Sequence, residues 1–242
     1  MVYLTVRGIV VKTMDYNEAD KILTILSFEK GRMSIIARGV RKQGSQLSFC
    51  TRLFYCGIFE CVVSREKNIL TGSRMMQDFS SLSESLERLY CASHYVEVAA
   101  CVILEDQPSE EQMKLLLNTL YMLSTGRSDL RLLSSIFELR LLAQEGFCPC
   151  IGACVRCGSS PANGVRFSSN DGGLVCCEEG LPVSAPTLKA MEHILGADPG
   201  RLFSVKASAK VISELFAISR TYTDVILDKS FKKLDILSSE MQ

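Results

Sequence analysis

Six of the eleven cysteines lie between residues 148 and 177, in a stretch poor in other apolar residues. They read Cys148-Pro149-Cys150, then Cys154-Val155-Arg156-Cys157-Gly158, then Cys176-Cys177. Cys154 and Cys157 form a Cys-x2-Cys knuckle. That spacing aims two thiolates at one tetrahedral metal from a tight turn, and Gly158 accepts the backbone angles the turn requires. A zinc ribbon repeats the knuckle further on. Here the second group is the adjacent pair Cys176 and Cys177, with Glu179 at the position three beyond Cys176. The expected ligands are therefore Cys154, Cys157 and Cys176, with Cys177, Glu179, Cys148 or Cys150 in the fourth place. The expected cofactor is a structural Zn2+. Catalytic zinc sites use histidine or carboxylate with an open water position, whereas the two histidines, His94 and His193, both fall in amphipathic helical patterns.

A second set of residues carries charge. Arg38, Arg41 and Lys42 crowd into a glycine-containing loop, and Arg7, Lys12, Lys21 and Arg32 lie on or near the strands before it. Together they form a candidate DNA-binding surface that tracks phosphates. Tyr3, Tyr16, Phe49, Phe54 and Tyr55 are aromatics near enough in sequence to stack on bases or to fill a core. The first 80 residues hold 12 Lys and Arg against 7 Asp and Glu, and the rest hold 15 against 20, so a net charge of zero hides a basic first third. A polyanion is expected to meet that third.

The elements that must position these groups follow from periodicity. Leu4–Val11, Ile22–Phe28, Arg32–Ala37, Leu53–Val63 and Ile69–Arg74 read as five strands, with Gly8 as a bulge. No helix long enough for a crossover separates them, which predicts an antiparallel barrel or sandwich. From residue 80 the period becomes helical. Ser81 and Glu84 have capping-box spacing for a helix to about Glu105. Further helices are expected from Pro108 to Ser124, Leu130 to Glu145, Ser184 or Thr187 to Gly196, and Ala207 to Ile226. The segment 146–180 reads as irregular. The expected fold class is α+β and multidomain, with residues 1–79 as a β-barrel and residues 80–242 as a helical domain carrying the cysteine segment 146–180.

Several classes are disfavoured. There is no Walker-type loop, no Gly-x-Gly-x2-Gly after a strand, no His-Glu-x2-His and no Gly-x-Ser-x-Gly. A zinc deaminase needs His-x-Glu, which is missing, and Cys148-Pro149-Cys150 has the wrong spacing for its partner motif. No helix is basic enough to read a major groove. The start carries no secretory signal pattern, and no apolar stretch has transmembrane length, so a cytosolic protein with free thiols is expected. The main competing expectation is a scaffold whose helical part docks a protein while the barrel is structural.

Gly8-Ile9-Val10-Val11, Tyr16-Asn17-Glu18-Ala19-Asp20-Lys21-Ile22-Leu23, Gly31-Arg32 and Ala37-Arg38-Gly39-Val40-Arg41-Lys42 occur in that order. Gly146-Phe147 with Pro149, Cys154-x2-Cys157-Gly158, Phe167 and Gly172-Gly173-Leu174-Val175-Cys176 follow them. In this order the residues resemble the RecO family of bacterial recombination mediators and DNA repair proteins, over almost the whole chain. The resemblance implies an N-terminal five-stranded OB-fold, then a helical domain with a four-cysteine zinc site. It implies binding of single- and double-stranded DNA and annealing of complementary strands. It also implies work with RecR to load recombinase onto DNA coated with single-strand-binding protein, in the cytoplasm near the nucleoid. Cys154, Cys157 and Cys176 match the family's cysteine positions. The fourth falls on Glu179, for which Cys177 is the expected substitute. No catalytic residue is implied.

Overall fold

Alternation dictates the first part of the chain. Every second residue of each strand points at a common interior, and the sequence keeps those positions apolar. In the computed structural model, which describes residues 2–160, 164–176 and 179–237, five strands result. They are β1 (Val2–Tyr16), β2 (Asp20–Ser27), β3 (Gly31–Ala37), β4 (Cys56–Ser64) and β5 (Lys67–Gln77). They close into a barrel in the order β1-β2-β3-β5-β4. All pairings are antiparallel except β3 with β5, which runs parallel through Ile35↔Asn68 and Ile36↔Ile69. Val6, Val10, Leu23, Ile25, Ile35, Phe59 and Leu70 are buried inside. Burial of each such side chain contributes about 1.5–3 kcal/mol.

The expected bulge at Gly8 is displaced. Gly8 stays in register with Ser27 and Gly57, and the register shifts between Val10 and Lys12 instead. Glycine is needed at position 8 for another reason: a Cβ there would stand 2.4 Å from the Leu26 carbonyl oxygen. The glycine permits close approach of two strands.

The chain divides into two compact units, Met1–Ser124 and Thr125–Gln242. The first unit contains two helices beyond the barrel, α1 (Leu86–Val102) and α2 (Glu110–Thr125). Ser81 and Glu84 do not cap α1. They lie in and after a 3-10 turn, Ser80–Ser83, and the N-cap is Ser85, whose hydroxyl accepts from the Arg88 amide. The linker between α1 and α2 is pinned to the start of β3. The Arg32 amide donates to Leu104 O at 3.0 Å, and the Ser109 amide donates to Phe28 O at 3.0 Å. The Ser109 hydroxyl donates to Ser27 O at 2.8 Å.

The second unit holds α3 (Leu130–Gln144), α4 (Ala185–Gly196) and α5 (Ala209–Ile226). Asp129 caps α3 by accepting from the Arg131 and Leu132 amides. The segment between α3 and α4, expected to be irregular, contains a small antiparallel sheet. It is built from β6 (Arg166–Ser168), β7 (Gly173–Val175) and β8 (Leu181–Pro182), in the order β7-β6-β8. Phe167 is buried edge-on against Tyr222 of α5, with ring centroids 5.4 Å apart, and the Tyr222 hydroxyl donates to Phe147 O at 3.1 Å. These contacts tie the cysteine segment to the helices. Among the described residues, no helix is long and apolar enough to cross a membrane.

Candidate nucleic-acid interface and cysteine cluster

The loop after β3 is held against the turn joining β1 and β2. The Gly39 amide donates to Asp20 Oδ1 at 2.8 Å, and the Arg41 amide donates to Ala19 O at 3.0 Å. The Arg41 guanidinium donates to Asn17 O and pairs with Asp15 at 3.3 Å. The Gly39 hydrogen bond, with Asn17 and the nearby charges of Arg38 and Lys42, holds the Asp20 carboxyl below its ordinary range against desolvation. Gly39 adopts φ 67°, which glycine accepts without strain.

This docking collects Arg38, Arg41 and Lys42 beside Lys21, whose strand partner is Ala37. The other expected cations are not in that cluster. Arg7 sits near the opposite strand ends. Its Nε donates to Glu29 at 2.7 Å, and its guanidinium lies 4.6 Å from the centre of the Phe28 ring. Arg32 pairs with Glu105 at 3.4 Å and donates to Ala100 O. Lys12 lies midway along β1, opposite Thr24. Among the described residues, Lys12, Lys21, Arg38 and Lys42 make no ion pair, so their charges are open to a polyanion. Arg52 in the same loop and Arg65 and Lys67 of the β4–β5 hairpin are exposed cations that the strand pattern did not single out.

A cavity of about 700 Å³ runs along β3. Arg32 and Ile36 line its length, Tyr16 and Ile22 its end near the β1–β2 turn, and Tyr3 and Lys67 contribute from β1 and the β4–β5 hairpin. Of the aromatics read from sequence, Tyr3 and Tyr16 open to this cavity. Phe54 and Tyr55 are buried, and Phe49 packs edge-on against Tyr55 with centroids 5.6 Å apart.

In the second unit, β7 delivers Cys176 to the knuckle. The Val155 amide donates to Leu174 O at 2.9 Å, and the amides of Cys150 and Leu174 donate to Gly172 O and Cys150 O, each at 2.9 Å. A Cβ on Gly173 would lie 2.5 Å from Cys150 O, so the strand approaches this closely only through glycine. The Sγ atoms of Cys154, Cys157 and Cys176 lie within 4.8 Å of one another, with Cys157 and Cys176 at 3.4 Å. Amide hydrogen bonds from Cys157 and Arg156 lower the Cys154 thiol to about 6. Hydrogen bonds to the sulfurs of Cys157 and Cys154 raise the Cys176 thiol to about 11.

Thiolates 2.3 Å from a tetrahedral zinc stand about 3.8 Å apart, so the three sulfurs fit that ion's donor set. Glu179 pairs with Arg156 at 3.3 Å, and the thiols of Cys148 and Cys150 approach the carbonyls of Pro149 and Ala153. Among the described residues, none of these three joins the group. Cys177 lies outside the described residues. Neither histidine joins it: His94 is buried in α1, and His193 Nε2 is 3.0 Å from Arg201 O.

The fold and these two clusters define a protein with a barrel bearing open cations and a helical unit carrying a cluster of three thiols. Two family models account for most of its length. Residues 1–75 match "Recombination protein O N terminal", and residues 83–235 match "Recombination protein O C terminal". The chain is 35% identical to the DNA repair protein RecO of Acetivibrio thermocellus, over 99% of this chain and 98% of that protein. It is 31% identical to the RecO of Symbiobacterium thermophilum, over 97% and 95% respectively. The RecO of Caldicellulosiruptor saccharolyticus is 27% identical, over 97% of this chain and 98% of that protein. The chain belongs to the RecO family.

Proposed function

We propose that this protein is a DNA repair and recombination mediator that binds single- and double-stranded DNA and anneals complementary strands without catalysing a covalent step. The observation that carries the reading is the cluster of open cations Lys21, Arg38 and Lys42, with Lys12 open further along β1, on the barrel of a RecO-family chain. Two strands repel through their phosphates. A basic surface neutralises both and raises their local concentration, while base pairing supplies the specificity. The barrel acts as an OB-type fold, and residues 80–242 serve as the helical part. In the cell the protein works in the cytoplasm with RecR to load recombinase onto DNA coated with single-strand-binding protein.

The cysteine cluster holds a structural zinc through Cys154, Cys157 and Cys176, with Cys177 as the fourth ligand. When bound, that ion supplies folding energy to a segment with little core of its own. The chain's residues prepare the site: the knuckle amides favour a thiolate on Cys154, and β7 fixes Cys176 beside it.

The test is annealing of complementary labelled oligonucleotides without nucleotide, on naked strands and on strands coated with single-strand-binding protein, across a salt series. Arg38→Glu with Lys42→Glu is expected to slow annealing and to flatten the salt dependence of single-strand binding, by about 0.7 in logarithmic slope for each phosphate that the protein ceases to neutralise. Folded protein that neither anneals nor retains DNA at low salt refutes the reading and favours a protein scaffold. RecR pull-down and recombinase loading then test the partner assignments separately.

A further inference from the structure

A second cavity lies wholly within the second unit, between α4 and the segment that leads into α5, apart from the barrel and from the cysteine cluster. It holds about 440 Å³, toward the small end of small-molecule pockets, which run from about 300 to 1,000 Å³. Its walls are tied together at both ends. Near the start of α4, the Glu214 carboxylate of α5, whose side chain is 12% exposed, accepts from the Ser184 amide at 2.9 Å and from the Thr187 hydroxyl at 2.5 Å. Near the end of α4, His193 Nε2 lies 3.0 Å from Arg201 O. A carbonyl only accepts, so that nitrogen carries a proton. A cavity fixed in this way is preorganised for a ligand.

Its chemistry is one-sided. Lys189 lines it from α4 and Lys206 from the segment before α5, and no aspartate or glutamate lines it. The chain beyond residue 80 holds 15 Lys and Arg against 20 Asp and Glu, so this wall departs from its surroundings. Among the described residues neither lysine makes an ion pair, and both are exposed to an incoming group. The Ser208 hydroxyl caps α5 by accepting from the Val211 amide at 3.5 Å, which leaves its own proton to donate. The end of α5 thus brings its own cap, and the pull on an anion comes from the two ammonium groups. Val205 and Val211 complete the lining with apolar surface.

We infer that the cavity between α4 and α5 binds the terminal phosphate of a nucleotide, with Lys189 and Lys206 as its counter-charges and Ser208 as a hydroxyl donor. A carboxylate or an internal phosphodiester brings one negative charge to two ammonium groups. A phosphate monoester brings about 1.5 to 2 at neutral pH, with three acceptor oxygens. Lysine meets such a group as a compact point charge. The attached sugar packs on Val205 and Val211. The monoester comes either from a free nucleotide or from the 5′ end of a DNA strand, and both present the same chemistry to the cavity. The inference does not depend on the barrel's DNA binding, because the cavity is built by the second unit alone.

The experiment is calorimetric titration of the full chain with inorganic phosphate, thymidine monophosphate and thymidine, at one ionic strength set with chloride. Wild type is expected to bind the two phosphates and not thymidine. Lys189→Ala/Lys206→Ala is expected to weaken both phosphates by about tenfold or more, and Lys189→Arg/Lys206→Arg to keep most of the affinity. Both lysines are exposed, so their truncation empties no core. Two oligo-thymidine strands, one with a 5′ phosphate and one with a 5′ hydroxyl, then separate the sources. The barrel's contribution is common to both strands. A preference for the phosphorylated strand that the alanine pair loses assigns the cavity to strand ends. Equal binding of the two strands, beside a lysine-dependent grip on thymidine monophosphate, assigns it to free nucleotides. Wild type that binds neither phosphate, or an alanine pair that binds both as tightly as wild type, overturns the inference and leaves the reading of the barrel untouched.

Discussion

Asp20 is the residue on which the basic loop depends, because its carboxylate accepts the Gly39 amide that starts the loop. Its folded pKa is depressed. A depressed carboxyl contributes stability above its unfolded value, about 3.9, and loses it as pH falls through the lower folded value. Asp20→Asn is therefore expected to lower Tm at neutral pH, with a gap to wild type that is constant above about pH 5 and closes in stronger acid. Thermal melts across that range check it. At the cysteine cluster, Cys154→Ser is expected to yield protein without stoichiometric zinc and with a less stable second unit, as metal analysis and melting will show. The knuckle was legible in sequence because Cys-x2-Cys-Gly is a local geometry. The pairing of Arg7 with Glu29 and of Arg32 with Glu105 was not. Those acids come from other elements, and only the closed barrel and the pinned linker bring them near.

At the scale of elements, Gly31 carries the attachment of the α1–α2 linker to the barrel. It sits at φ 59°, and a Cβ there would meet Leu104 O at 2.0 Å and Gln107 O at 2.7 Å. Gly31→Ala is expected to destabilise the first unit by about 1–3 kcal/mol, from backbone strain and disruption of the Arg32–Leu104 hydrogen bond, as measured by denaturant unfolding. The long strands and helices were readable from their periods, since burial on one face repeats along each of them. The start of α1 was not. Ser81 and Glu84 have the right spacing for a capping box, but the chain makes a 3-10 turn there, and Ser85 takes the capping role. Strands β6 to β8 escaped notice because two or three residues carry no period, and the packing of Phe167 on Tyr222 of α5 is a contact between segments far apart in sequence.

Across the molecule, the cation cluster and the cysteine cluster occupy different units, so their defects are separable. Removing zinc with a chelator is expected to lower the stability of the second unit, while salt-sensitive DNA binding by the barrel persists at low temperature. Melting curves paired with oligonucleotide titrations check both halves of that statement. A net charge of zero conceals the basic first third, which shows only when the charges of the first 80 residues are counted apart from the rest.

The barrel closes through two parallel pairs, Ile35↔Asn68 and Ile36↔Ile69, whereas every other seam is a longer antiparallel ladder. A short join between distant segments forms late as the chain folds and opens early in native fluctuations. Asn68 and Ile69 are adjacent, so one of their two amides faces β3 and the other β4; the deuterium uptake of the one that faces β3 reports the breathing of the ring. Because Ile36 and Asn68 also line the β3 cavity, anything seated there clasps the seam, and occupancy is written as slowed exchange at that single join.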